Sequence, residues 1–120
     1  MNEKKVTKLV FTCSGAADVG ELTDRAARQL ARDGTAAMSC LASVAARDED
    51  ILFNAEYADC VLLIDGCPKA CSLRTFELAG LRHHFHFDLS RIGLGKKSSP
   101  ATLENIGKVV AKAVEVLTSH

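Results

Sequence analysis

The run Cys60-Val61-Leu62-Leu63-Ile64-Asp65, followed at once by Gly66, limits the possible folds more than any other part of this chain. A short, unbroken apolar segment that stops at a turn signal has the pattern of a strand buried on both faces. Strands of that kind sit in parallel sheets covered by helices. The flanking sequence alternates in the way such a sheet needs. Val6 to Thr12 predicts a strand ending at Cys13-Ser14-Gly15. A helix is expected from Asp18, where Glu21 three residues later completes a capping box and Val19, Leu22, Ala26 and Leu30 share a face. Gly34 stops that helix, and Thr35 to Ser39 predicts a second, short strand ending at Cys40. A helical turn follows over 41–46, then a helix capped by Asp48 and carrying Ile51, Leu52 and Ala55.

Beyond the central run, Pro68 suits the first position of a helix reaching about Ala79. His84 to Leu89 predicts a fourth strand. A last helix opens at Ser99-Pro100 and repeats Leu103, Ile106, Val110, Ala113, Val114 and Leu117 at helical spacing. The order β-α-β-α-β-α-β-α predicts an α/β fold, a single three-layer domain over residues 1–120. Right-handed crossovers reduce the choice to a flavodoxin-like or Rossmann-like sheet of four parallel strands. The expected order is 2-1-3-4, with its switch point between the first and third strands.

Fifteen basic residues balance fifteen acidic ones, and five Phe with one Tyr and no Trp leave little to stack on bases. Nucleic acid and membrane surfaces are therefore not expected as partners. No apolar run approaches the ~20 residues of a membrane helix. Met1-Asn2-Glu3-Lys4-Lys5 is not followed by a secretory pattern. Five cysteines, an odd number at wide spacing, do not make a disulfide scaffold. The expectation is a cytoplasmic protein whose thiols bind metal or do chemistry.

The positions of the cysteines carry the functional argument. Cys13, Cys40 and Cys67 each follow a predicted strand, so a parallel sheet brings them to its C-terminal edge, where such folds bind ligands. Cys71 lies four residues after Cys67, about one turn along the expected helix, and can reach back to the same rim. Cys60 begins the third strand, on the order of 17 Å away at 3.3 Å per residue, and reads as a core residue. Four thiolates beside a helix start suit a soft metal such as Zn2+, and the helix dipole favours Cys67 as thiolate. The competing reading is ordinary thiols at loop starts, since Cys67-x3-Cys71 is not the two-residue knuckle of zinc ribbons.

Asp65-Gly66-Cys67-Pro68-x-x-Cys71 behind an apolar strand resembles the signature of the DGC-domain family of zinc-binding proteins. The resemblance extends to Cys13-Ser14-Gly15, Cys40-Leu41-Ala42 and Gly93-Leu94-Gly95-Lys96-Lys97, nearly the whole chain. It implies that Cys13, Cys40, Cys67 and Cys71 form the metal site and leaves Cys60 outside it. It implies no reaction.

Asp65 reads equally as an acceptor behind the site or as a turn-forming residue, and Gly66 as the residue that lets backbone approach the site. Lys96 and Lys97 follow the fourth strand, so they fall on the cysteine rim and could hold an anion or steady thiolates. His84, His86 and Asp88 share one strand face that reads as a solvated edge. Arg25, Arg28 and Arg32 read as a solvated helix face. A phosphatase loop at Cys13 would need an arginine where Val19 stands. The function expected is one zinc ion held by four cysteines, with a partner protein for metal or sulfur transfer. The alternative is thiol-redox or persulfide chemistry on Cys67, Cys71 and Cys13, or an iron–sulfur cluster on the same cysteines. The balance leans towards a binding module rather than an enzyme.

Overall fold

The central run is a strand buried at every residue, β3 (Cys60–Asp65), and beside it β1 (Lys8–Thr12) pairs in parallel along its whole length. In the computed structural model, which describes residues 7–119, β2 (Ala37–Met38) and β4 (Phe85–Asp88) complete the sheet in the order β2-β1-β3-β4. All three pairings are parallel, as the alternation of elements predicts. Residues 1–6, with the basic N-terminus and the first residue of the expected strand, lie outside the described residues, as does His120.

Strand alternation divides the core in two. Val10, Leu62, Ile64 and Phe87 face α1 (Asp18–Arg32) and α5 (Leu103–Thr118). Leu9, Phe11, Val61 and Leu63 face the other layer, made of α2 (Leu41–Ala45), α3 (Glu49–Tyr57) and α4 (Cys71–Leu78). The result is the expected three-layer α/β arrangement, with both faces of the sheet buried.

Several element boundaries differ from the sequence expectation, each because a polar group has another partner. Asp18 is the first residue of α1 and not its cap. Its carboxylate accepts from the Val19 amide at 2.8 Å and from the Ser99 amide at 3.0 Å, while Glu21 pairs with Arg25 at 3.1 Å. The second strand is only two residues long, because the Thr35 and Ala36 amides turn back onto the Leu30 carbonyl. The last helix opens at Leu103, capped by Thr102, whose hydroxyl oxygen accepts from the Asn105 amide at 3.1 Å. The Asp48 cap on α3 stands as expected, accepting from the Ile51 amide at 3.1 Å.

Candidate functional site at the C-terminal edge of the sheet

The helix after the central strand starts at Cys71, three residues later than Pro68 implies. Pro68 instead occupies the second position of a turn closed by the Ala70 amide on the Cys67 carbonyl at 3.1 Å, a place its fixed φ equally suits. Cys67 is thus in a turn and not at a helix start, and the dipole of α4 is met by another group. That group is Asp65. Ala70 precedes the helix in the left-handed conformation without a side-chain cap, so the Asp65 carboxylate reaches past it to accept from the Ser72 and Leu73 amides at 2.9 and 3.3 Å.

Asp65 is only 1% exposed, and its second oxygen also meets His86 Nε2 at 2.9 Å. A carboxylate can only accept, so Nε2 carries the proton in this contact. Burial acts to raise the Asp65 carboxyl, but the hydrogen bonds from His86, Ser72 and Leu73 outweigh it and hold it below the usual range. His84 and His86 do not form a solvated face. They point under α4, with the His84 ring edge-on to Phe76 at 5.7 Å. Burial pushes the His84 imidazole down. Asp88 is engaged with Ser90, so these three side chains have separate partners.

Gly66 lets the first turn of α1 approach. A Cβ there would lie 2.9 Å from the Val19 carbonyl carbon and 2.9 Å from its Cγ2. Its amide donates to Cys13 Sγ at 3.3 Å, which joins the loop after β1 to the loop after β3. Cys13 Sγ also lies 3.6 Å from Thr23 Oγ1. Thr23 gives its own proton to the Gly20 carbonyl at 2.9 Å, so the thiol is the donor to Thr23. Gly20 is required in turn, since a Cβ there would stand 2.4 Å from the Gly15 oxygen.

The rim gathers three of the four expected cysteines. Cys13, Cys67 and Cys71 line one cavity of about 190 Å³, together with Asp65, Gly66, Lys69 and Lys96. Cys40 does not reach it. It caps α2, exposed, and borders a separate groove of about 1040 Å³ whose wall it shares with Cys13. The Ser43 hydroxyl and amide hold the Cys40 thiol below its ordinary value. Cys60 lies in the core on the α1 side, 1% exposed, and burial pushes its thiol up. Among the described residues no group of three or more His, Cys, Asp or Glu side chains is arranged to hold a metal ion. The donor chemistry of the rim suits zinc, while the positions shown are not those of a closed four-thiolate site.

Backbone strain collects at the same edge. Four described non-glycine residues have positive φ: Ser14, Arg47, Ala70 and Lys97. Arg47 is held by its guanidinium on the Val44, Ala45 and Leu78 carbonyls. The other three adjoin Cys13, Cys71 and Lys96, and strain of this kind concentrates at functional sites. His86, Thr23 and Lys69 adjoin the site without being expected there from the sequence. The first two depend on contacts across the fold, whereas Lys69, next to Pro68, carried a positional signal.

A family model described as the DGC domain matches residues 9–113. The anaerobic and virulence modulator AnvM of Pseudomonas aeruginosa is 33% identical over 89 residues, covering 74% of this chain and 68% of that protein. No solved structure matches the chain. With its cysteine-bearing loops, its Asp-Gly-Cys turn and a match across most of its length, the chain belongs to the DGC-domain family.

Proposed function

We propose that this protein binds one soft metal ion, zinc in the first instance, on Cys13, Cys67 and Cys71, with Cys40 as the fourth donor. The observation that carries this reading is the shared cavity: three thiols far apart in sequence open onto one space at the sheet edge. Cys40 borders the adjoining groove with Cys13, so an approach of the loop after β2 would add it. With Cys40 and Cys71 exposed, the site suits metal that exchanges, passed to or from a partner protein, more than a structural staple. Asp65 and Gly66 position the Cys67 turn, and Lys96 offsets the charge of the thiolates. Free thiols at an open rim suit a reducing compartment, and we place the protein in the cytoplasm. The relative's name, an anaerobic and virulence modulator, fits a site whose state follows metal or redox supply.

A second reading is favoured by the exposure of Cys71 and the half-exposure of Cys67. Their thiols could pass two electrons and two protons to a disulfide or peroxide, leaving a Cys67–Cys71 disulfide. An iron–sulfur cluster would use the same thiolates and be visible by colour. Metal analysis of anaerobically purified protein tests these readings. About one zinc per chain, sharply reduced by Cys67→Ser and by Cys40→Ser but unchanged by Cys60→Ser, is the expected result. No metal in the native chain, with an oxidisable Cys67–Cys71 pair found by mass spectrometry, would replace it with the thiol reading.

A further inference from the structure

Two lysines stand at the cysteine cavity on separately fixed loops, and neither is a donor to the metal. Lys69 lies in the turn closed by the Ala70 amide on Cys67. Lys96 lies in the loop 93–99, which is tied down at several points. The Gly95 amide donates to Ser99 Oγ at 2.9 Å, the Ser98 amide to the Gly95 carbonyl at 3.3 Å, and the Ser99 amide to Asp18 at the start of α1 at 3.0 Å. Leu94 and Ser99 are both buried, which anchors the loop at each end.

The two lysines line the same two spaces. Gly66, Cys67, Lys69 and Lys96 line the 190 Å³ cavity and also an adjoining cavity of about 320 Å³ that continues past Pro68, Ser90 and Leu94. Among the described residues, the one carboxylate lining either space is Asp65, and its charge is already met by two amides and His86. Neither lysine forms an ion pair with a described carboxylate. Two unpaired ammonium groups over a space without a free carboxylate make a local positive field in a chain of zero net charge. The spaces are small, suited to an anion of a few heavy atoms and too small for a nucleotide.

We infer that the opening shared by these two cavities is a binding site for a small inorganic oxyanion of the sulfate, thiosulfate or phosphate kind, held by Lys69 and Lys96 beside Cys67. The inference goes beyond the metal reading, since it gives a ligand of their own to side chains that supply no donor to the metal. It also gives the Gly-Leu-Gly-Lys loop a purpose: Asp18 and Ser99 fix the backbone that carries Lys96 to the rim of these cavities.

The test is an amide NMR titration of the reduced protein with sulfate, thiosulfate and phosphate in turn, each replacing chloride at constant ionic strength. Saturable shifts centred on Gly66, Cys67, Lys69, Gly95 and Lys96 are expected for at least one of the three. The double substitution Lys69→Gln, Lys96→Gln should weaken binding about tenfold or more while leaving the rest of the spectrum in place. Shifts that match those from chloride, or a double variant that binds as tightly as the native chain, would overturn the site. Zinc content is measured on the same samples. A native chain that takes no zinc yet shows saturable anion shifts defeats the metal reading and leaves this one standing.

Discussion

At the scale of single residues, Asp65 joins the sheet, the helix and the site. Its carboxylate stands in for the cap that Ala70 lacks, and it holds His86 under α4. Replacing a buried acceptor leaves its donors without partners, which costs roughly 1–3 kcal/mol, and more where the lost group is charged. Asp65→Asn is therefore expected to destabilise the fold by about 2–3 kcal/mol in urea melts. The pH dependence has a fixed sign. The folded carboxyl titrates below its free value of 3.8, so its stabilisation is fully present above that value and is lost as pH falls through the lower, folded value. The native chain should lose stability on acidification across this window, and Asp65→Asn should lose less. Parallel acid slopes in the two proteins would show that the carboxylate is not held by these bonds. Gly66 has a comparable constraint, since any Cβ would press on Val19. Gly66→Ala should cost about 1–3 kcal/mol.

At the scale of elements, α4 is anchored at both ends, by Asp65 at its start and by Phe76 against Phe11, ring centroids 4.8 Å apart and edge-on. Phe76→Leu keeps most of the apolar volume and gives up the ring contacts with Phe11 and His84. It is expected to cost about 1–2 kcal/mol in urea melts and to loosen the far end of the helix, while Cys71, exposed at the end that Asp65 holds, keeps its rate of alkylation. A changed rate at Cys71 would mean that α4 moves as one piece and that Asp65 alone does not hold its start. The sheet was legible in the sequence because the central strand is one unbroken apolar run and the long helices repeat their own period, and both survive in the two cores. The start of α4 was not, because Pro68 fits the first turn of a helix and the second position of a turn equally well. The capping role of Asp65 was hidden for a different reason: its amide partners are seven and eight residues away and His86 is twenty-one away. The anchoring of the loop that carries Lys96 depends on Asp18, eighty-one residues from Ser99, and no local pattern records it.

At the scale of the whole molecule, the parallel order β2-β1-β3-β4 puts the loops after β1, β2 and β3 on one edge, each with a cysteine. The sequence supplied the cysteines and their positions after the strands, so their convergence was legible. That Cys40 stays across a neighbouring groove was not, because the two-residue β2 is too short for its register to show in a pattern. This arrangement has a consequence for stability. A ligand joining three loops binds the native chain and not the unfolded one, so it stabilises by RT ln(1 + [L]/Kd). At a hundredfold excess over Kd the gain is about 2.7 kcal/mol. For a domain of this size that should raise Tm by roughly 10 °C. Zinc added to the reduced, metal-free chain should therefore raise Tm by this order, and a chelator should reverse the rise. Cys67→Ser should abolish it and Cys60→Ser should leave it intact, because Cys60 lies in the core away from the rim. Cys40→Ser is the most informative arm. If the loop after β2 closes onto the ion, most of the rise should disappear. A full rise in that variant would leave the ion on Cys13, Cys67 and Cys71, with its fourth position open to a partner.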